Sequence, residues 1–140
     1  MACWLYQMNA KEVYSHERYR TEVWEGNLVT NWSIGEAKGR PKKVTLGDMI
    51  ILFYVKSYAT DRPGIYGWGV ITLFDGEVIN FRPAEPSDYL KMNPVPENSV
   101  SNIIANIRGG FPEGTMWEVD KKQLEGLREK IAEHVYGVTP

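Results

Sequence analysis

Apolar and aromatic residues fall into short blocks along this chain, separated by glycine, proline and charge. Cys3 to Met8 predicts an opening strand, apolar and aromatic except at Gln7. Lys11 to Glu25 has no Gly or Pro and is rich in charge, which predicts a helix stopped by Gly26-Asn27. Asn31 to Ile34 is a short segment that leads into a basic loop from Gly35 to Pro41. Met49 to Lys56 is the strongest strand, so continuously apolar that it belongs in the middle of a sheet with both faces covered. After a loop from Ser57 to Pro63, Ile65 to Phe74 predicts another strand, in which Gly67-Trp68-Gly69 admits a neighbouring backbone. Asp75-Gly76 is a hairpin signal, and Glu77 to Arg82 returns antiparallel.

The second half reads differently. Pro83, Pro86, Pro94 and Pro96 make the stretch from Pro83 to Asn98 mostly irregular. Val100, Ile103, Ile104 and Ile107 follow Ser99 at helical spacing, and Gly109-Gly110 ends the run. Thr115 to Val119 predicts a last strand. Asp120 and Gln123 then form a capping box ahead of the stripe Leu124, Leu127, Ile131 and Val135. The expected class is α+β: a small β-barrel of about six mostly antiparallel strands flanked by helices. One domain is expected over residues 1–136, with 137–140 starting a linker to a further domain.

Composition narrows the function classes. Apolar residues at 43% and charged residues at 24% are ordinary for a globular domain. With one cysteine, Cys3, and two histidines, a disulfide framework or a metal site is poorly supplied, so neither a metal nor a cofactor is expected. Cys3 lies in a predicted strand, where a buried, inert thiol is expected. No apolar run is long enough to cross a bilayer and no secretory signal opens the chain, so a cytoplasmic protein is expected, with no membrane partner. The sequence contains no phosphate-binding glycine loop, no Gly-x-Ser-x-Gly elbow and no His-Glu-x-x-His pair. A binding module is therefore expected over an enzyme.

The net charge is -2, so nucleic-acid binding would have to rest on a local patch and a pocket. The candidate patch is Lys38, Arg40, Lys42 and Lys43, residues that also suit a plain solvated loop. Five tryptophans in 140 residues exceed the ordinary needs of a core, which leaves one or two to line a pocket. A flat base stacked on an indole gains about 1–3 kcal/mol whichever base it is, so selectivity must come from polar atoms at its edge. Asn31-Trp32-Ser33 offers an indole between an amide and a hydroxyl, while Gln7, Met8 and Asn9 add two amides and a thioether.

The order of these blocks resembles the EVE and YTH branches of the PUA-like superfamily. The resemblance spans roughly residues 3 to 82. It rests on Trp4-Leu5-Tyr6-Gln7-Met8-Asn9, on Asn31-Trp32-Ser33, on Val44-Thr45-Leu46-Gly47-Asp48 entering a central strand, and on Pro63-Gly64-Ile65-Tyr66-Gly67-Trp68-Gly69. It implies a PUA-like barrel that recognises a flipped-out, often methylated base of DNA or RNA in an aromatic cage. Within that picture Trp32 is the stacking wall, Ser33 and Asn31 lie at the pocket edge, and Gln7, Met8 and Asn9 take the first-strand pocket positions. Arg82 falls near a phosphate-binding arginine. The YTH insertion carrying a second cage tryptophan is replaced here by the tight Asp75-Gly76 turn, so Tyr58, Phe81, Tyr89 and Trp24 stand as alternatives for the second wall. Trp68 points either to this pocket or to the core. The resemblance further implies the specificity domain of a modification-dependent restriction system. The alternatives are a PUA-like RNA-binding domain without modification selectivity, and a small hydrolase acting on RNA or modified nucleosides.

Overall fold

The computed structural model describes residues 1–8, 27–29, 44–55, 62–74, 78–109 and 116–137. The predicted helix from Lys11 to Glu25, the Asn31 to Ser33 step, the basic loop and the Asp75-Gly76 turn lie outside them. The described strands, in chain order, are β1 (Cys3–Met8), β2 (Asn27–Val29), β3 (Met49–Tyr54), β4 (Gly64–Phe74) and β5 (Val78–Pro83). A one-turn helix α1 (Ser87–Leu90), strand β6 (Val95–Pro96), helix α2 (Glu97–Arg108), strand β7 (Met116–Val119) and helix α3 (Lys121–Tyr136) complete them. They form one 7-stranded sheet in the order β2-β5-β4-β3-β1-β7, with β6 added beside β4. Only β1 and β3 run parallel; every other described pair is antiparallel.

The α+β class and the mostly antiparallel sheet are as the pattern predicts. The path from β2 to β7 is open, and its two end strands do not pair with each other among the described residues.

Period-two alternation sorts the strand side chains onto two faces. Trp4 and Tyr6 of β1 join Ile50, Leu52 and Tyr54 of β3 and Tyr66, Ile71, Ile79 and Phe81 in a cluster supplied, among the described residues, by strands. Cys3, Leu5, Met49, Ile51 and Phe53 face the opposite way, against Val100, Ile104 and Ile107 of α2 and Leu127 of α3. Every residue of β3 is consequently buried, as its unbroken apolar run requires. Burial on the helix side pushes the Cys3 thiol up to about 12, which leaves it protonated and inert at neutral pH.

The polar residue that anchors this sheet is Asp48. Its Oδ2 accepts from Trp4 Nε1 and from the Thr45 N–H, both at 2.9 Å, and its Oδ1 accepts from the Ala2 N–H at 3.0 Å. Burial raises the Asp48 pKa, but hydrogen bonds from Trp4, Ala2 and Thr45 and the nearby N-terminal charge outweigh it, leaving the carboxyl below its ordinary value. The backbone next to it joins β4, with Gly47 N–H donating to Ile71 O and Ile71 N–H to Asp48 O, each at 2.8 Å. The Gly-Asp block at the strand entry is therefore a structural clamp.

The glycines of the Pro-Gly-Ile strand have a packing role. A Cβ on Gly64 would land on the Val95 carbonyl, where β6 pairs with β4. One on Gly69 would lie 2.6 Å from both the Arg82 carbonyl oxygen and Phe81 Cδ2, which is the close backbone approach expected there.

The stretch from Pro83 to Asn98 corrects the sequence expectation. It holds α1, β6 and the start of α2. The Ser87 hydroxyl accepts from Trp68 N–H at 2.9 Å and donates to Trp68 O at 2.8 Å, fixing α1 to β4 through a side chain. Helix α2 begins two residues before Ser99 because the Glu97 N–H finds a tertiary acceptor, Pro63 O, at 3.0 Å. The capping box at Asp120 forms as predicted: Gln123 N–H donates to Asp120 Oδ1 at 2.7 Å and Asp120 N–H to Gln123 Oε1 at 2.9 Å.

Replacing Asp48 with Asn should cost about 3 kcal/mol at neutral pH, because three donors lose a charged acceptor. The Asp48 pKa is lowered on folding, so its contribution is complete above the ordinary value of 3.8 and is lost as pH falls through the lowered one. Denaturant unfolding of both proteins should show the gap narrowing on acidification below 3.8; a gap independent of pH would contradict this. Gly69→Ala should lower stability by about 2 kcal/mol or more, read as a shift in the urea midpoint at unchanged slope.

Candidate functional site

Strands β1 and β3 finish together, with Gln7 opposite Phe53 and Met8 opposite Tyr54. This end of the sheet is aromatic on both faces. On the strand side, the Tyr54 and Tyr66 rings meet edge to face, 5.1 Å between centroids and 77° between planes. Tyr66 is fixed further by its hydroxyl, which donates to Arg62 O at 2.6 Å. On the helix side, Gln7 follows Leu5 in the alternation and stands beside Phe53.

Arg108, in the last turn of α2, completes this side. Its Nη1 donates to Gln7 Oε1 at 3.0 Å, and its guanidinium carbon lies 5.9 Å from the centre of the Phe53 ring. The second contact is within the range of a cation–π interaction. With its oxygen facing Arg108, the Gln7 amide turns its nitrogen the other way, so the orientation of donor and acceptor is set. Arg108 Nε is buried and has no hydrogen-bond partner among the described residues. A buried donor of this kind marks a polar spot that the fold alone does not satisfy. Chemically, the arrangement can hold a flat polar group against an oriented amide.

Sequence reasoning missed Arg108. At the end of a predicted helix, an arginine reads as a complement to the helix dipole. Its partner Gln7 lies 101 residues away in the chain, so nothing local signals the pair.

Of the remaining expected site residues that are described, Phe81 and Arg82 lie apart from Gln7. Phe81 is buried in the strand-side cluster, 4% exposed. Arg82 is exposed on β5, opposite Val70, which pairs with Met49, which pairs with Cys3. Arg82 and Gln7 are thus four residues apart along the strands and three strands apart across the sheet, about 13 Å and about 14 Å if the sheet is laid flat. They do not come together at one site. Strand β2 ends at Val29, opposite Val78, beside the connection between β4 and β5. Asn9, Asn31, Trp32, Ser33, Tyr58, Lys38, Arg40, Lys42 and Lys43 lie outside the described residues, as does Trp24.

The described tryptophans are accounted for structurally. Trp4 and Trp117 are buried, and Trp68 is half-buried against the helix-side core with its indole N–H donating to Glu85 O at 2.8 Å. Tyr89 is exposed on α1, its ring 6.1 Å from that of His134. Among the described residues, no three His, Cys, Asp or Glu side chains are grouped so as to hold a metal ion, and no helix is long and apolar enough to cross a membrane.

No family model matches the chain, and no curated protein does. Solved structures similar to it include the following two. Protein PSPTO5229 from Pseudomonas syringae is 13% identical over 91% of this chain and 97% of its own, with a TM-score of 0.52. The human THYN1 protein, solved in complex with 5-methylcytosine-containing DNA, is 11% identical over 91% and 95%, with a TM-score of 0.49. The chain shares its overall fold with the Pseudomonas protein. At this identity the likeness is one of fold alone.

Arg108→Met should release the Gln7 amide and lower stability by about 1 kcal/mol, since one charge-assisted hydrogen bond is lost at a half-buried position. The Gln7 side-chain amide signals in a nitrogen–proton spectrum should shift; unmoved signals would show that the pair does not persist in solution.

Proposed function

We propose that this domain is a nucleic-acid-binding module that takes one flipped-out modified base, such as a methylated one, into an aromatic pocket at the Gln7 end of β1. The observation that carries the reading is the Arg108 guanidinium lying over Phe53 and bonded to the Gln7 amide oxygen, where the parallel strands finish. A base edge needs such an oriented partner, because stacking alone does not discriminate between bases. The fold and the sequence blocks named above support the same reading.

In this account Trp32 stacks on the base, with Asn31, Ser33, Gln7, Met8 and Asn9 around its edge. Phe81 is enclosed by its neighbours, which leaves the second wall to Tyr58, Tyr89 or Trp24. Lys38, Arg40, Lys42 and Lys43 hold the phosphates, and Arg82 serves a more distant stretch of backbone. The sheet closes as a small PUA-like barrel round the strand-side cluster. The domain acts in the cytoplasm without catalysing a reaction itself, as the specificity part of a modification-dependent restriction system, joined to a further domain.

Titration of DNA and RNA oligonucleotides carrying one modified base each, against unmodified controls, tests this. At least one modification should bind more tightly than its control, by about tenfold, the scale of one stacking contact. Trp32→Ala should erase the difference while leaving the salt-dependent, unselective part in place. Equal binding across all oligonucleotides, surviving loss of Trp32 and falling steeply with salt, would instead identify an RNA- or DNA-binding domain without modification selectivity.

A further inference from the structure

A slot of about 170 Å³, partly open to solvent, lies between the sheet and α3, away from the end of β1 discussed above. It is lined by Met49 and Ile51 of β3, by Trp68 of β4, and by Leu124 and Ala132 of α3. Apolar cavities of about 150 Å³ stay dry and accept a benzene ring.

The lining limits what can enter. Trp68 has already given its indole N–H to Glu85 O, so it offers the slot a ring face and no donor. Met49, Ile51, Leu124 and Ala132 bring no strong hydrogen-bonding group to its interior. Glu85 and Arg128, both exposed and opposite in charge, stand at the rim. An ion of either sign would meet one like charge there and leave its hydration for an apolar wall. A nucleobase fits poorly for a related reason, because its polar atoms lie on more than one side of the ring and those turned toward Met49 and Ile51 would be buried without partners.

From these features we propose that the slot between Trp68 and α3 is a second ligand site, one that takes a small, neutral, flat aromatic ring. The ring lies against the Trp68 indole, its apolar edge faces Met49 and Ile51, and any polar substituent faces the rim. Ring-on-ring stacking and burial of apolar surface supply the affinity. The site is separate from the base pocket, so the two can be tested apart.

The test is a titration of the full chain with indole and with toluene, following the indole nitrogen–proton signals of its tryptophans. The Trp68 signal should move saturably, while those of the buried Trp4 and Trp117 stay in place. Ala132→Phe fills the slot from α3 and should abolish the shift. The smaller Ala132→Leu, which spares the fold more surely, should weaken it. Cytidine and 5-methylcytidine should leave Trp68 unmoved in the same experiment. A Trp68 signal that ignores both rings would overturn the proposal, as would a shift that survives in both Ala132 variants, or one that the nucleosides produce as well.

Discussion

The fold depends on one buried carboxylate. β1 and β3 are parallel neighbours at the centre of the sheet, and parallel strands cannot be joined by a tight turn. The bond from Trp4 Nε1 to Asp48 Oδ2 closes a span of 44 residues, and local chemistry does not fix the register across such a distance. Asp48 fixes it. By gathering donors from Ala2, Trp4 and Thr45, it sets Cys3 against Met49, and the remaining pairs follow residue by residue to Met8 against Tyr54. The polar end of β1 is thus positioned by a clamp at its opposite end.

That dependence explains which parts of the fold are legible in the sequence. β3 declares itself by its unbroken apolar run, the β4–β5 pair by its hairpin dipeptide, and α3 by its capping box and stripe. These signals are local, and the physics that writes them acts within a few residues. β2 and β6, of three and two residues, are too short to carry a period, and α1 is a single turn set by the Ser87 hydroxyl. All three owe their form to a partner elsewhere in the chain. Asp48 is a middle case: the Gly-Asp block is visible in the sequence, but its meaning as a clamp needs Trp4 beside it.

The site divides along the same line. Gln7 was readable because a polar residue interrupts an aromatic strand, yet its orientation comes from Arg108, which no motif announces. The excess of tryptophan proves to have more than one use. Trp4 secures the clamp, Trp117 fills the helix-side core, and Trp68 lines a slot while its N–H is tied to Glu85. An indole in this domain therefore does not by itself mark a base pocket. What distinguishes the Gln7 end is an oriented amide beside a cation and an aromatic ring, whereas the Trp68 slot is apolar throughout its interior. The two places suit different ligands for that reason.

A chemical-shift map of the isotopically labelled protein with an oligonucleotide carrying the one modified base that binds it most tightly, run beside its unmodified twin, tests the central claim most directly. The account predicts that the modification adds shifts at the Gln7 side-chain amide, at Arg108 Nε and at the backbone of Met8 and Tyr54, with the Trp68 indole unmoved. Identical maps for the two oligonucleotides, or a modification-dependent change confined to residues remote from the end of β1, would contradict it.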